Sequence, residues 1–380
     1  MGSNYKKLGG FIRTVDERNS NLAITNLQGV SITKEFVPSI ANIIGTDLST
    51  YKIVRTGQFA YGPVTSRNGD KVSIALLKGD DCIISSSYVP FEVYKPDELL
   101  PEYLMLWFMR PEFDRYARFM SNGSAREVFD WDCMCGVELP VPPISEQRKI
   151  VHDYQVITDR MELLRKINMN LENQSFLLFE ESIKDSSEYM RLCDFGKILT
   201  GKTPSTEVKE FYGNDVPFIK TPDMHGNLYI VSCENSLSQL GADSQSSKYL
   251  PADSVIVSCI GANAGEISLT SCVSQTNQQI NAIITQYPKY LYCALNKCRE
   301  ELRALGDAGS TMININKSLF ENYRVVSLNS EELNIIEKKL TPLFIAIQNN
   351  LKEIFILSRL INYILNILAS ASWRTESVEE

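Results

Sequence analysis

The 380-residue chain has only two histidines, His152 and His225, and none of its nine cysteines stands in a C-x-x-C pair. The closest spacing, Cys133-Met134-Cys135, falls short of a zinc ligand set. Buried, reduced thiols are the expectation. No apolar run approaches the roughly 18 residues of a membrane span, and no secretory leader is read in the opening residues. A cytoplasmic protein without a membrane partner is therefore expected. A basic segment is missing as well. Net charge is −8, and residues 1–143, 144–188, 189–327 and 328–380 carry −2, −3, −1 and −2. That excludes coating of nucleic acid by bulk charge, so any such contact needs local Lys and Arg clusters or partners that supply positive charge. Catalytic signatures are absent too. There is no G-x-S-x-G turn and no N/D-P-P-Y/F/W motif of amino-methyltransferases, since "VPPI" lacks both the amide and the ring. The carboxylates form no metal-type cluster. The expectation is a chain that reads or scaffolds, not an enzyme, with no cofactor or metal of its own.

One motif speaks against that. "GKILTGKT", Gly196 to Thr203, fits G-x-x-x-x-G-K-[ST] at every position. A phosphate-binding loop needs a buried strand before it, a helix after it and a later apolar strand ending in Asp. Before Gly196 stands the short "RLCDF". After Thr203 come Pro204 and "STEVKEFYGND", which has no apolar helical period, and Asp253 precedes "SVIVSCI" instead of closing it. The match is read as coincidence, with a nucleotide hydrolase kept as an alternative that predicts ATP at Lys202. An acidic DNA-mimicking decoy is the other alternative. It would suit the pI of about 5.1, but Lys and Arg are interspersed in every segment.

What is present is a duplication. After "LPVPPISEQRKIV" apolar or borderline residues recur at Ile150, Tyr154, Ile157, Met161, Leu164, Asn168, Leu171, Ser175 and Leu178, alternating four and three as in a coiled-coil seam. Pro140, Pro142 and Pro143 forbid an earlier start, and Ser145 is the expected cap. A helix over 145–183 would run about 55 Å. After "YRVVSLNSEELNII" a second seam runs Ile336, Leu340, Leu343, Ile347, Asn350, Ile354, Leu357, Ile361, Ile364, Leu368, with Ser330 as the expected cap and Pro342 as a kink or restart. The seams align at an offset of 186: Tyr154 with Leu340, Met161 with Ile347, Leu171 with Leu357. Gly123-Ser124 and Gly309-Ser310, and Tyr103-Leu104 and Tyr290-Leu291, repeat at nearly the same offset. Each seam holds one Asn, Asn168 and Asn350, placed to fix register if the helices pair, or else facing solvent as the seam drifts. Antiparallel pairing is favoured.

Between the helices lie two units of mixed strand and helix, strands leading, without the alternation of a doubly wound sheet. In the first, "YKIVRTGQFAYGPV" and "KVSIALL" flank Arg67-Asn68-Gly69-Asp70, a hairpin signal. "PEYLMLWFMRPEFDRYARFM" reads as helix interrupted at Pro111. In the second, "DVPFIKTP", "ADSVIVSCIG", "EISLTS" and "QINAIIT" read as strands and "YLYCALNKCREELRAL" as a helix. The fold class is α+β: two α/β units, two long antiparallel coiled-coil helices, and a pseudo-twofold internal repeat.

Taken together these stretches resemble the specificity subunits of Type I restriction–modification systems. "LPVPPISEQRKIV" with its heptad helix resembles their conserved region. "GKTPS", "YGNDVPFIKTPDM", "LPADSVIVSCIGANAGEI" and "TNQQINAII" look like landmarks of one class of target-recognition domain, and "YKIVRTGQFAYGP" and "LPEYLMLWF" like those of another. The likeness runs the length of the chain in order. It implies a first recognition domain over 1–143, a spacer helix over 144–186, a second domain over 187–328 and a second spacer helix over 329–372. It implies a non-catalytic subunit whose two domains each read one half of a split, asymmetric DNA target, with the helices setting the gap. Two methyltransferase subunits carrying S-adenosylmethionine, and motor–nuclease subunits using ATP and Mg, are the implied partners. The second copy departs from the pattern, with Leu328-Asn329 in place of Pro142-Pro143 and Glu332 in place of Gln147. That puts equal packing of partners on both helix starts in doubt.

Base readout needs Arg, Lys, Asn, Gln or Ser on loops that reach a groove edge. The candidates in the first half are Tyr61, Ser66, Arg67, Asn68, Lys71, Ser124 and Arg126. In the second half they are Lys202, Thr203, Lys220, Thr221, Asp223, Asn277, Gln278 and Gln279, with Lys317 for phosphate. Gln147, Arg148 and Ile150 are the candidates for partner binding, Gln147 being equally well read as bonding nearby backbone. Phe176 and Phe179 are expected to pack at the domain junction.

Overall fold

The computed structural model describes residues 5–39, 45–66, 68–69, 71–121, 127–261, 263–306 and 313–370, with side chains to Leu368. Arg67, Ser124, Arg126 and Gly309-Ser310 lie outside the described residues. The chain divides into two compact units, one of Met1–Asp159 with Ser358–Glu380 and one of Arg160–Leu357. Each long helix has residues in both.

In the first unit a four-stranded antiparallel sheet runs in the order Ile12–Thr14, Val89–Val93, Phe59–Tyr61, Ile74–Leu76. The expected hairpin is there, with Phe59 opposite Leu76 and Tyr61 opposite Ile74. Its face is aromatic. Phe59 stacks on Phe91 at 4.8 Å between centroids, and Phe108 meets Phe59 edge-on at 5.9 Å. Phe108 closes the helix Pro101–Phe108, whose residues from Tyr103 onward are all buried. Proline lacks an amide hydrogen and clashes with the preceding turn, yet suits a first helical turn. Pro111 accordingly ends that helix and opens the next, Pro111–Met120.

The first long helix spans Ile144–Ile183. Its cap is Pro143 and not Ser145, because the Pro143 carbonyl accepts from the amides of Glu146 and Gln147 at 2.9 and 3.1 Å. In the first unit its Ile150, Val151 and Tyr154 pack on the same core as Ile361, Leu365 and Leu368 of the second long helix, Ser330–Ser370. That helix is continuous through Pro342, so no restart occurs there. Its cap is Asn329, one residue before the expected Ser330, with Oδ1 accepting from the amides of Glu331 and Glu332 at 3.1 and 3.0 Å.

The second unit carries a five-stranded sheet in the order Gly196–Thr200, Ile280–Thr285, Val255–Ser258, Ile267–Thr270, Tyr229–Ile230, antiparallel except at the last edge. Beside it Ser236–Leu237, Tyr212–Ile219 and Gln275–Thr276 form three more strands. All four expected strands are present. The helix expected over 290–305 is two, Pro288–Lys297 and Arg299–Leu305, separated by a non-helical Cys298. Phe179 is fully buried in this core and Phe176 stacks on Tyr292. Leu178, placed in the seam by heptad counting, is 37% exposed, and Phe179 has taken the inward position. An α-helix turns about 3.6 residues, so a strict 3.5-residue seam drifts off its face unless the helix supercoils.

The duplication is visible in backbone pairing. Tyr5–Lys7 pairs with Glu138–Pro140 in one unit and Tyr189–Arg191 with Arg324–Val326 in the other. Tyr103 Oη donates to the Pro140 carbonyl at 3.1 Å, and Tyr290 Oη to the Val326 carbonyl at 2.9 Å. The seam asparagines pair within the second unit. Asn350 Nδ2 donates to Asn168 Oδ1 at 2.8 Å, while Arg160 Nε reaches Glu353 at 2.7 Å, the order of an antiparallel pair. Asn168 Nδ2 is buried without a partner among the described residues, so the pair marks register at some cost. N350L should strand the Asn168 carbonyl and lower the melting free energy by about 1–3 kcal/mol. N168L/N350L should recover the loss, and thermal melts of the two variants decide it. A double variant no better than the single would show that the amide pair stabilises the seam.

Candidate nucleic-acid interface

In the second unit strand polarity gathers the loops. Tyr212–Ile219 and Gln275–Thr276 are parallel and end together, with Ile219 beside Thr276. Ile280–Thr285 starts at that edge, and its antiparallel neighbours end there, with Ser258 opposite Ile280 and Thr200 opposite Asn281. The turns after Thr200, Ile219, Ser258 and Thr276 therefore share one edge. All the second-half candidates except Lys317 lie on three of them.

The structure sorts those candidates. Lys202 is exposed and has no carboxylate partner among the described residues. Thr203 Oγ1 donates to Gln278 Oε1 at 2.6 Å, and Gln278 is exposed. Lys220 and Thr221 are half-buried at the start of a short helix, Thr221–Met224. Asn277 is corrected. It is buried, its Nδ2 donates to Gln279 Oε1 at 3.0 Å and its Oδ1 accepts from the Gln279 amide, so it and Gln279 shape the turn. Asp223 is half-buried, and its carboxylate accepts from the amides of Lys220 and Glu234 at 2.8 and 3.1 Å. Lys317 is exposed but ion-paired with Glu321 at 3.2 Å.

Beneath the edge lies a pair that sequence reasoning missed. Gln245 Nε2 donates to the Lys202 carbonyl at 2.8 Å and to Gln275 Oε1 at 2.7 Å, and Gln275 Nε2 donates to the Ala242 carbonyl at 2.9 Å. Nothing local marks these glutamines, since their partners are distant in sequence. Gly201 makes the close approach possible. A Cβ there would lie 2.1 Å from the Asn277 carbonyl oxygen and 2.3 Å from Thr276 Oγ1. G201A should push residues 201–203 off the Thr276–Gln279 turn. Hydrogen exchange at the Lys202 amide, now bonded to the Thr276 carbonyl at 2.9 Å, should accelerate at least tenfold. Unchanged exchange would refute the contact.

The same geometry disposes of the phosphate-loop motif. Gly196–Thr200 is itself a strand, residues 204–208 directly after Thr203 are not helical, and Pro204 is buried.

In the first unit Ser66, Asn68 and Lys71 sit between the hairpin strands. Ser66 and Lys71 are exposed, and Asn68 is half-buried, its amide bonded to the Thr65 carbonyl at 2.9 Å. Gly69 supplies a positive φ of 62° at the turn. Tyr61 is corrected. It is fully buried against Phe91 and Phe129, and desolvation pushes its hydroxyl's pKa far up. Arg118, not among the candidates, holds the loop from the side, Nη1 donating to the Gly69 carbonyl at 3.0 Å.

Gln147 is also corrected as a partner-binding residue. It is fully buried, Oε1 accepting from the Leu100 amide at 2.9 Å and Nε2 donating to the Glu98 and Pro142 carbonyls, each at 2.8 Å. Ile150 packs on the core, and Arg148 is exposed. Among the described residues no cluster of His, Cys, Asp and Glu could hold a metal ion, and no helix is long and apolar enough to cross a membrane. The cysteines are free, and burial pushes the Cys82 and Cys259 thiols up to about 12.

A family model described as the Type I restriction modification DNA specificity domain matches residues 184–354. The chain is 27% identical to the Type I restriction enzyme HindI specificity subunit of Haemophilus influenzae, over 89% of this chain and 92% of that protein. It is 22% identical to the MjaIX specificity subunit of Methanocaldococcus jannaschii, over 74% and 71%. In fold it is similar to a crystal structure of a Type I restriction–modification S subunit from M. genitalium, with a TM-score of 0.64, 14% identity and coverage of 96% and 95%. The order of sequence landmarks, the duplicated strand pairing and these matches agree: residues 184–354 match the Type I restriction modification DNA specificity domain, and the chain is similar over most of its length to Type I specificity subunits.

Proposed function

We propose that this chain recognises a specific DNA sequence for a Type I restriction–modification complex, each unit contacting one half of a split target. The observation that carries the asymmetry is that one repeated frame bears two different sheets. The frame is the Tyr103–Pro140 and Tyr290–Val326 contacts with their short strand pairs. One sheet has four antiparallel strands and the other five with a parallel edge. Unlike surfaces read unlike half-sites. The phosphate contacts that dominate affinity are shared with partner subunits, which suits a chain of net charge −8.

On this reading the chain is not itself an enzyme. Methyltransferase subunits carrying S-adenosylmethionine modify adenine, and motor–nuclease subunits use ATP and Mg. The test is single-molecule sequencing of DNA from cells that make the methyltransferase partner with or without this chain. Methyladenine at one split, asymmetric motif only when the chain is present supports the reading. The same marks without it overturn the reading.

A further inference from the structure

The first unit has a second feature that the hairpin loop does not account for. A groove of about 830 Å³ opens between the turn around Thr33, the end of the hairpin loop at Lys71 and the outward face of the Pro111–Met120 helix. Its lining carries four cations, Lys34, Lys71, Arg115 and Arg118, against one carboxylate, Asp114. Asp114 is consumed, since Lys34 Nζ sits on it at 2.6 Å with both side chains buried. What remains is a cationic wall in a segment of net negative charge. Arg115 and Arg118 do have outer partners, Glu112 at 3.0 Å and Glu127 at 3.1 Å. Those pairs are solvent-exposed, worth little, and yield readily to a denser anion.

The apolar part of the groove is as telling. Phe119 is 84% exposed, and Ile32 across from it is 43% exposed. Arg115, Arg118 and Phe119 fall three and four residues apart, so they share one helix face. Arginine forks onto guanine edges, apolar side chains meet the thymine methyl, and the major groove admits a helix.

We propose that the outward face of the Pro111–Met120 helix is the base-reading surface of the first unit. Duplex DNA occupies the groove, Arg115 and Phe119 face base edges, and Lys71 holds a phosphate. This rests on the reading of the chain as a DNA-specificity subunit and names the element that does the reading.

The test uses the full chain in its complex with the methyltransferase, comparing wild type with F119A, R115A and K71A. All three side chains are exposed, so melting temperatures should be unchanged. Motif mapping by single-molecule sequencing should show F119A and R115A losing roughly tenfold discrimination at base pairs of one half-site, with the other half-site intact. K71A should weaken binding evenly across sequences and lower the slope of log K against log salt by about 0.9. If wild type directs a motif and F119A and R115A direct the same one as sharply, the groove assignment falls while the DNA reading stands. If F119A instead releases the methyltransferase and leaves the motif unchanged, the groove is a protein interface and the proposal falls. A wild-type chain that directs no motif overturns the DNA reading, and the groove with it.

Discussion

Replacing Gln147 by Ala is expected to cost the first unit about 3 kcal/mol or more, and replacing it by Glu should cost more still. The side chain is fully buried and bridges three backbone groups, the Leu100 amide and the Glu98 and Pro142 carbonyls. Alanine strands all three, and each buried polar group left unpaired costs roughly 1–3 kcal/mol. Glutamate keeps the shape but turns a two-hydrogen donor into an acceptor facing two carbonyl oxygens. Ionised, it is a buried charge without a donor. Protonated, it satisfies one carbonyl only. For a unit of this size, 3 kcal/mol is roughly 6–12 °C in melting temperature. The Glu variant should regain part of its loss in acid, because a carboxyl in that site takes up its proton at a higher pH than in the unfolded chain. Melting curves near wild type for both variants would show that the amide does not bridge these groups. The contact also explains why glutamine stands there, since it fastens the start of the long helix to the start of Pro101–Phe108.

The second unit solves the same problem from another turn of its helix, and this shows where sequence reading reaches its limit. Counted along the repeat, Gln147 corresponds to residues near Glu332, and that substitution raised doubt about equivalent packing. Glu332 in fact lies at the exposed start of its helix, its carboxylate accepting from the Asn329 amide at 3.2 Å. The fastening is done by Glu337, which accepts from the amides of Lys289 and Tyr290 at 3.2 and 2.9 Å. Burial pushes the Glu337 carboxyl up, and those two amides with Lys289 hold it down. Function is kept while alignment is lost, because only the capping geometry at the short helix is constrained.

What was legible was local. The long helices, the strands and the break at Pro111 follow from periodicity and proline chemistry within a few residues. The 186-residue offset emerged because both seams repeat the same pattern. Burial of polar side chains was not legible. Tyr61 carries the right chemistry for reading bases, but Phe91 and Phe129, brought in by the fold, enclose it, while the turn that buries Asn277 shows only in three dimensions. Conversely Arg115 and Phe119 sit in a stretch read only as helix, and the groove they face needs the turn around Thr33, some 80 residues away, to exist. The strand edge in the second unit was more visible, because Lys202, Thr203 and Gln278 flank strands whose ends the sequence marks with Gly and amide residues.

That distant turn is held by one buried ion pair, and D114A is expected to destabilise the first unit by about 3–5 kcal/mol. Asp114 Oδ1 accepts from Lys34 Nζ at 2.6 Å and from the Val72 amide at 3.0 Å, so it joins the turn, the hairpin loop and the helix. Lys34 itself has a φ of 68°, a conformation that L-residues seldom adopt and that the pairing helps to hold. Alanine leaves an ammonium buried without its counter-charge and strands the Val72 amide. The defect should depend on pH with a definite sign. Burial already lowers the Lys34 pKa below the ordinary lysine value, and Asp114 opposes that shift. Without Asp114 it falls further, so the folded variant binds fewer protons than its unfolded chain over a wider range, and its stability rises with pH toward the ordinary lysine pKa. The gap between D114A and wild type should therefore narrow between neutral pH and about pH 10. K34M/D114L, which buries no charge, should recover much of the loss at pH 7 while the Val72 amide stays unpaired. Because the pair forms the floor of the cationic groove, D114A should also blur one half-site of the methylated motif and leave the other sharp. A gap that widens with pH, or a double variant as unstable as D114A, would mean that the buried charge is not what the pair neutralises.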